Sequence, residues 1–216
     1  MNKQIVMEKI TASKVVAICR GIEPEHMLLV AHAAALGGIR LLEITFDQRE
    51  EAFYYKTAKA IRLIRERGPK NLCIGAGTVM NLRQLEMAYE AGAEFILAPN
   101  INRQILARAS QLGILSVPGA LTPTEIAAAY DMGADIVKVF PAGLLGNAYI
   151  KAIRSPISHI PLMAVGNIDQ HNFREFLDSG CISIGVGSCL MNKKLIEEER
   201  FEELTALARE FTIEER

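Results

Sequence analysis

The sequence lacks an excess of charge of either sign: 24 basic and 25 acidic residues give its 216 residues a formal net charge of −1. A nearly neutral chain has no general electrostatic attraction to nucleic acid or to an anionic membrane. We therefore expect neither as a partner, and any bound anion must be held by local geometry. The first residues contain no long apolar segment, which predicts neither a signal peptide nor a membrane span.

Cysteines are few, and no two of them form a CxxC pair. Four lie in or beside apolar runs: Cys19, Cys73, Cys181 and Cys189. Buried free thiols have such surroundings, so we predict reduced core cysteines in a cytoplasmic protein. The four histidines (His26, His32, His159 and His171) have no metal-ligand spacing. We interpret them as surface or supporting residues, and no metal site is expected from them.

The chain also lacks a low-complexity linker, and half of its residues are apolar. It can therefore bury a full core, and we predict one domain over residues 1–216. After a helix at about 2–11, apolar runs alternate with amphipathic segments. Strands are predicted at 14–19, 39–45, 72–75, 94–98, 113–117, 134–141, 161–165 and 181–185. Helices are predicted at 24–36, 50–67, 81–91, 102–111, 123–132, 147–154, 169–179 and 201–211. Eight such units fit a (β/α)8 TIM barrel with a short N-terminal helix.

The main alternative fold is a doubly wound open sheet, which carries a G-x-G-x-x-G turn after its first strand. Here that turn is Cys19-Arg20-Gly21-Ile22, without the glycine pattern. The sequence therefore favours the barrel. In such a barrel the active site lies at the C-terminal ends of the strands.

A lysine stands within the sixth predicted strand, in the run ADIVKVFP at 134–141. Lys138 shares a strand face with Ile136 and Phe140, because side chains alternate with period two. A buried ammonium loses hydration, so its pKa falls and some neutral amine forms near pH 7. A neutral amine attacks carbonyl groups to form Schiff bases, which makes Lys138 a candidate nucleophile. The alternative is a strand-end lysine whose ammonium reaches water.

Functional residue types gather at the other predicted strand ends. These ends carry Arg20, Glu43 with Thr45, Gly75-Ala76-Gly77-Thr78, Pro99-Asn100, Pro118-Gly119, Gly166-Asn167 and Gly185-Val186-Gly187-Ser188. Glu43 stands in the apolar strand LLEIT, where a carboxylate is costly unless it is paired or protonated. Facing Lys138 across the barrel mouth, it is a candidate general base with a raised pKa. The alternative is a structural ion pair between the two.

These motifs carry a family resemblance. The runs LEIT at 42–45, GAGTV at 75–79, VKVFPA at 137–142 and GS at 187–188 resemble the class I 2-keto-3-deoxy-6-phosphogluconate (KDPG) aldolases. Relatives of that family act on 4-hydroxy-2-oxoglutarate (KHG) or on the 6-phosphogalactonate epimer. The resemblance extends from about residue 15 to residue 190. It implies a Schiff-base aldolase that cleaves a 2-keto-3-deoxy-6-phospho sugar acid to pyruvate and glyceraldehyde 3-phosphate, with no metal and no other cofactor.

The resemblance also implies roles for single residues. Lys138 matches the Schiff-base lysine, and Glu43 matches the glutamate that moves protons, through water. Thr78 matches the threonine that holds the pyruvate carboxylate, and Phe140 the phenylalanine beside the imine. Arg20 matches an arginine suited to a carboxylate or phosphate oxygen; its alternative is a surface arginine. The other expected substrate-binding residues are Pro99, Gly166, Asn167, Gly187 and Ser188.

Two positions depart from the family pattern. Many family members have arginine where this chain has Asp47. Either Arg20 binds the substrate carboxylate instead, or the substrate differs and Asp47 binds one of its hydroxyl groups. The phosphate-binding turn is commonly Gly-Gly, whereas here it is Gly166-Asn167. Because asparagine tolerates positive φ, we expect the backbone nest to persist. Gly187-Ser188 is intact and is expected to lead into a short helix N-terminus.

Three alternative functions remain open at this point. The first is the same imine chemistry on KHG, an unphosphorylated sugar acid or another 2-keto acid. The second is a metal-dependent decarboxylase or epimerase, which needs clustered carboxylates or histidines at the strand ends. The third is a non-catalytic barrel that binds a phosphorylated metabolite. The family resemblance further implies a homotrimer.

Overall fold

Nine short parallel strands form the centre of the computed structural model, which describes residues 2–212. The strands are β1 Val15–Cys19, β2 Leu41–Thr45, β3 Cys73–Gly77, β4 Phe95–Leu97, β5 Leu115–Val117, β6 Gly119–Ala120, β7 Val137–Val139, β8 Leu162–Val165 and β9 Ser183–Val186. Their order is β5-β4-β3-β2-β1-β9-β8-β7-β6, with every pair parallel.

Helices follow the strands along the chain. They are α1 Lys3–Ser13, α2 Pro24–Leu36, α3 Tyr54–Arg67, α4 Leu82–Glu90, α5 Arg103–Leu112, α6 Pro123–Asp131, α7 Ala142–Leu145, α8 Asn147–Arg154, α9 Phe173–Asp178, α10 Lys193–Glu197 and α11 Phe201–Arg209. A 3-10 turn, Glu51–Phe53, precedes α3. Within residues 2–212, no helix combines the length and the apolar character needed to cross a membrane.

The predicted barrel is confirmed, with one modification in its fifth strand. Pro118 divides this strand into β5, which pairs with β4, and β6, which pairs with β7. Proline has no backbone N–H to donate, so the strand is interrupted at this residue. The carbonyl of Pro118 still accepts a hydrogen bond from the Lys138 N–H, at 2.9 Å. The divided strand therefore connects both ends of the sheet, and the barrel is nearly closed.

Alternating strand residues fill two separate layers. The inner faces form a core inside the barrel, as with Leu41 of β2 and Phe95 of β4. The outer faces, such as Leu42 of β2, pack against the surrounding helices. Strands covered on both faces are apolar at nearly every position, which explains the continuous apolar runs in the sequence.

Helix α1 closes the N-terminal end of the barrel. Its Val6 and Ile10 are buried in the inner core, at 1% and 0% exposure. Two ion pairs fasten the helix to the strand starts: Lys3 Nζ lies 2.9 Å from Asp135, and Lys9 Nζ lies 3.6 Å from Glu94. The barrel is therefore plugged at the end opposite to the predicted active site.

The other boundaries show where sequence patterns succeed and fail. The bounds predicted for α2 and α8, 24–36 and 147–154, agree with the structure. The helix predicted over 169–179 begins only at Phe173. Before it, the side chains of Asp169 and Asn172 each accept a hydrogen bond from the other's backbone N–H, at 3.2 and 3.0 Å, and form a turn. The short helices α7 and α10 were not predicted.

Candidate active site

A cavity of about 690 Å³ opens at the C-terminal ends of the strands. Nine of the ten residues predicted for the site line it: Arg20, Thr78, Pro99, Lys138, Phe140, Gly166, Asn167, Gly187 and Ser188. The tenth, Glu43, is fully buried in the adjacent wall. The barrel thus brings together residues that are up to 168 positions apart, from Arg20 to Ser188.

Lys138 extends from β7 into this cavity. The residue is only 5% exposed, and its Nζ lies 4.8 Å from the centroid of the Phe140 ring. Burial lowers the pKa of the Lys138 amine below its ordinary value; the Glu43 carboxylate opposes this effect and Arg20 reinforces it. This burial agrees with the predicted lowering of the Lys138 pKa, whereas an ammonium that reaches bulk water does not fit it.

Glu43 is the acidic partner of this site. It is 1% exposed on β2, and its Oε2 is buried without a hydrogen-bond partner. Burial raises the pKa of the Glu43 carboxyl, while the charges of Lys138 and Arg20 lower it to a smaller extent. Among the described residues, no hydrogen bond or ion pair within 4.0 Å joins Glu43 to Lys138. The carboxyl group therefore has a free oxygen and an elevated proton affinity beside the amine.

Thr78 adopts an unusual backbone conformation at the end of β3. Its φ is +55°, which β-branched residues rarely adopt. The surrounding structure fixes this conformation: Gln48 donates a hydrogen bond to the Thr78 carbonyl at 2.9 Å, and Gln84 donates one to Gln48 at 3.0 Å. Strained residues of this kind cluster at functional sites. The turn presents Thr78 to the cavity.

The turn after β8 keeps the conformation that a backbone nest requires. Gly166 has a φ of +93° and Asn167 a φ of +55°, so the expected tolerance of Asn167 for positive φ is confirmed. Asn172 donates a hydrogen bond to the Asn167 carbonyl at 3.0 Å, and the Gly143 N–H donates to the Gly166 carbonyl at 2.8 Å. These bonds hold the two carbonyls away from the nest, and the N–H groups remain available for an anion.

The turn after β9 differs from the expectation. Ser188 does not lead directly into a helix, because α10 begins only at Lys193. Instead, the N–H groups of Leu190 and Met191 donate to the Gly187 carbonyl, at 3.0 and 2.8 Å, and form a compact turn. Any anion bound by Gly187 and Ser188 is therefore held by turn amides and a hydroxyl, without a helix dipole at that position.

Asp47 lies outside the cavity of Lys138. It lines a second cavity of about 720 Å³, beside β1, β2 and α3. There Arg49 donates hydrogen bonds to both carboxylate oxygens of Asp47, including Nε to Oδ2 at 2.9 Å. These bonds lower the pKa of Asp47 to about 2. The charge of Asp47 is thus compensated by Arg49, which weakens any repulsion between Asp47 and a substrate carboxylate.

Two charged cavity residues were missed by the sequence analysis. Lys193 and Asp169 both line the cavity of Lys138. Neither stands at a strand end, and neither belongs to a motif, so no sequence signal marked them. Arg20 is exposed, but it lines both cavities together with Lys193. Among residues 2–212, no group of three or more His, Cys, Asp or Glu side chains is arranged to hold a metal ion.

Comparisons with known proteins identify relatives over most of the chain. The family model for KDPG and KHG aldolases matches residues 6–207. A 2-dehydro-3-deoxy-phosphogluconate aldolase of Haemophilus influenzae is 35% identical over 208 residues, covering 96% of this chain and 95% of the relative. A 2-dehydro-3-deoxy-6-phosphogalactonate aldolase of Escherichia coli is 34% identical over 181 residues, covering 83% and 85%.

A solved structure of the same family also resembles this chain over nearly its whole length. The KDPG aldolase from Legionella pneumophila, with pyruvate captured as a covalent carbinolamine, is 28% identical and has a TM-score of 0.84. The match covers 94% of this chain and 96% of that one. Fold and comparisons together define an aldolase, a carbon–carbon lyase built on an α/β barrel. The chain belongs to the KDPG and KHG aldolase family.

Proposed function

We propose that this aldolase uses Lys138 to form an imine with a 2-keto-3-deoxy-6-phospho sugar acid and cleaves it to pyruvate and glyceraldehyde 3-phosphate. The observation that carries the proposal is the buried Lys138 amine of lowered pKa at the cavity of the barrel. A desolvated amine is neutral at a lower pH than a free lysine and can attack a ketone. The carbinolamine in the Legionella relative supports the same chemistry in this family.

The reaction begins with attack of the Lys138 Nζ on the C2 carbonyl. The carbinolamine loses water and becomes an iminium, which accepts the electron pair of the C3–C4 bond. A base removes the C4 hydroxyl proton, the C3–C4 bond breaks, and the aldehyde leaves. The remaining enamine takes a proton at C3, and water then hydrolyses the imine to pyruvate and the free amine.

Glu43 is our choice for the proton carrier. Its raised pKa and its free Oε2 suit a group that both accepts and returns a proton. Because no hydrogen bond joins Glu43 to Lys138 among the described residues, we propose that a water molecule transfers the proton between Glu43 and the substrate. The ionised carboxylate also stabilises the iminium charge on Lys138.

The remaining predicted residues bind the two ends of the substrate. We propose that Thr78 and Arg20 bind the carboxylate next to the imine, since a hydroxyl and a guanidinium suit carboxylate oxygens. The turns with Gly166, Asn167, Gly187 and Ser188 bind the phosphate through backbone N–H groups and a hydroxyl. Phe140 and Pro99 form apolar walls that keep the imine dry.

Two residues, Asn167 and Asp47, favour testing alternative substrates. Asn167 in place of the usual glycine narrows the choice of conformations at the phosphate turn, and Asp47 stands where many members have arginine. These differences favour comparing KHG, the galactonate epimer and unphosphorylated sugar acids with the phosphorylated gluconate-derived acid. A steady-state panel of these acids decides among them through their kcat/KM values.

Borohydride trapping tests the imine directly. The protein is incubated with pyruvate, reduced and digested, and the mass increase is expected on the peptide that contains Lys138. Lys138→Met should abolish both the adduct and turnover while the circular dichroism spectrum is retained. If the intact protein gives no adduct but is stabilised thermally by phosphorylated acids, it is a binding barrel instead. Loss of activity in EDTA would instead indicate a metal-dependent enzyme.

We also propose that residues 1–216 act as a single barrel domain, in the cytoplasm and as a homotrimer. The buried free thiols of Cys19, Cys73 and Cys181 support a reducing compartment. The trimer rests on the family resemblance. Sedimentation equilibrium tests it, and a mass of one or two protomers at assay concentration would contradict it.

A further inference from the structure

Two cations lie on the boundary between the two cavities. Arg20 and Lys193 each line both the cavity of Lys138 and the cavity of Asp47. The role of Arg20 was anticipated from its position after β1. Lys193 is the first residue of α10 and belongs to none of the motifs described above.

The stability of α10 does not explain a lysine at this position. Cations are unfavourable near a helix N-terminus, because the helix dipole is positive there. Lys193 lies 3.4 Å from Glu197, but the two side chains are 70% and 60% exposed, so the pair is weak. Its order, with lysine N-terminal to glutamate, is also the less favourable one on a helix. The pair with Glu197 therefore holds Lys193 only weakly, and its ammonium can interact with a group outside the helix.

Hydrogen-bond donors converge on the same cavity. The backbone N–H groups of Asn167, Ile168 and Ser188 donate to no acceptor within residues 2–212, and all three residues line the cavity with Lys193. The anion that lines it, Asp169, is engaged elsewhere. Its Oδ1 accepts hydrogen bonds from the N–H groups of His171 and Asn172, at 2.8 and 3.2 Å.

We propose that Lys193 binds the distal anionic group of the substrate, supplementing the turns Gly166–Asn167 and Gly187–Ser188. The proposal rests on the imine function proposed above, since the distal group is defined by its distance from the carbonyl held at Lys138. The Lys193 ammonium and the free N–H groups line the same cavity, so both can contact one anionic group there. Lys193 is thus a specificity residue for phosphorylated over unphosphorylated acids.

Lys194 provides a matched control for the experiment. It is 76% exposed and lies 3.9 Å from Glu198, also at i,i+4, but it lines neither cavity. Lys193→Ala, Lys193→Arg and Lys194→Ala are assayed with a 6-phospho sugar acid and with its unphosphorylated analogue. The measured quantity is the ratio of the two kcat/KM values, at low and at high ionic strength.

We expect Lys193→Ala to lower this ratio by about threefold to tenfold, mainly through KM of the phosphorylated acid. Lys193→Arg should keep most of the parent ratio. High salt should reduce the difference in this ratio between the parent protein and Lys193→Ala. An unchanged ratio in Lys193→Ala, or an equal change in Lys194→Ala, would overturn the proposal. Failure of the imine function itself is distinguished separately, because the unmodified protein would then trap no pyruvate with borohydride.

Discussion

The carboxyl group of Glu43 lies directly against the backbone of Gly77. A Cβ added at position 77 would lie 1.7 Å from Oε1 of Glu43 and 2.7 Å from its Cγ. Glu43 lies on β2 and Gly77 on the neighbouring strand β3, where the register partner of Glu43 is Gly75 and that of Gly77 is Thr45. The last glycine of the Gly-Ala-Gly sequence therefore provides the space in which the proposed proton carrier sits.

Gly77→Ala should displace the Glu43 carboxyl group and lower kcat. Because the new methyl group cannot coexist with Oε1 in its present position, we expect kcat to fall by about 10²-fold, the lower range for general acid–base catalysis. Overpacking should also lower the free energy of unfolding by about 1–3 kcal/mol. Steady-state kinetics and urea denaturation measure the two effects.

Gly75→Ala controls for overpacking on the same strand. Its Cβ would lie 2.2 Å from the Phe95 ring, and no atom of Glu43 is among its nearest neighbours. We expect a similar loss of stability with a smaller loss of kcat. Equal losses of kcat in both variants would show that the Gly77 effect is a general disturbance of the barrel.

Glu43→Gln should slow turnover by roughly 10²–10⁴-fold, because the amide cannot carry a proton between water and the substrate. The fold and the borohydride adduct at Lys138 should both persist. A loss below tenfold, measured as kcat on the preferred acid, would remove Glu43 from the proposed role.

The same variant should change how stability depends on pH. The pKa of Glu43 is raised above its unfolded value of 4.5, so its contribution is fully present below that pH and is lost as pH rises through the folded pKa. Glutamine does not titrate. Relative to the parent protein, Glu43→Gln should therefore gain stability as pH rises from acidic to alkaline values, measured by urea denaturation across that range.

The reactivity of Lys138 should respond in opposite directions to its two charged neighbours. Arg20 lowers the pKa of Lys138 and Glu43 raises it. Arg20→Gln should thus move the pH midpoint of Lys138 modification by an amine reagent upward, and Glu43→Gln should move it downward. Peptide mass spectrometry follows the reaction. Shifts in the same direction would contradict the assigned environment.

Ile10→Ala tests the plug formed by α1. Ile10 is fully buried in the inner core of the barrel, so we expect a loss of about 2–5 kcal/mol in the free energy of unfolding. Ile5→Ala, on the same helix at 47% exposure, should change stability by less than about 0.5 kcal/mol. Comparable losses in both variants would show that α1 is not anchored through the barrel interior.

Much of the fold could be predicted because its sequence patterns are local and extend over many residues. Pro24 begins α2 and two glycines follow its last residue, so both bounds were predicted from the sequence. The short helices α7 and α10 span four and five residues, too few for a 3.6-residue period to be recognised. The division of the fifth strand depends on how the chain on each side of Pro118 pairs with β4 and β7, and this pairing is visible only in the tertiary structure.

The site was predictable where a charge stands in an apolar strand. Lys138 and Glu43 are marked by their surroundings, because a buried charge is costly and therefore informative. Lys193 lies on a short helix that resembles any solvated helix in sequence, and only the chain path brings it to the cavity. The need for glycine at position 77 was likewise hidden, since the sequence does not show which side chain occupies the space.

The plug formed by α1 also has a kinetic consequence. Within residues 2–212, α1 covers the opposite end of the barrel, so we expect reactants and products to pass through the cavity at Lys138. In the proposed mechanism, the ketoacid fragment stays covalently bound to Lys138 until hydrolysis, whereas the aldehyde fragment is free as soon as the carbon–carbon bond breaks. We therefore expect the aldehyde to leave first and the ketoacid last, so that added pyruvate competes with incoming substrate for the free enzyme.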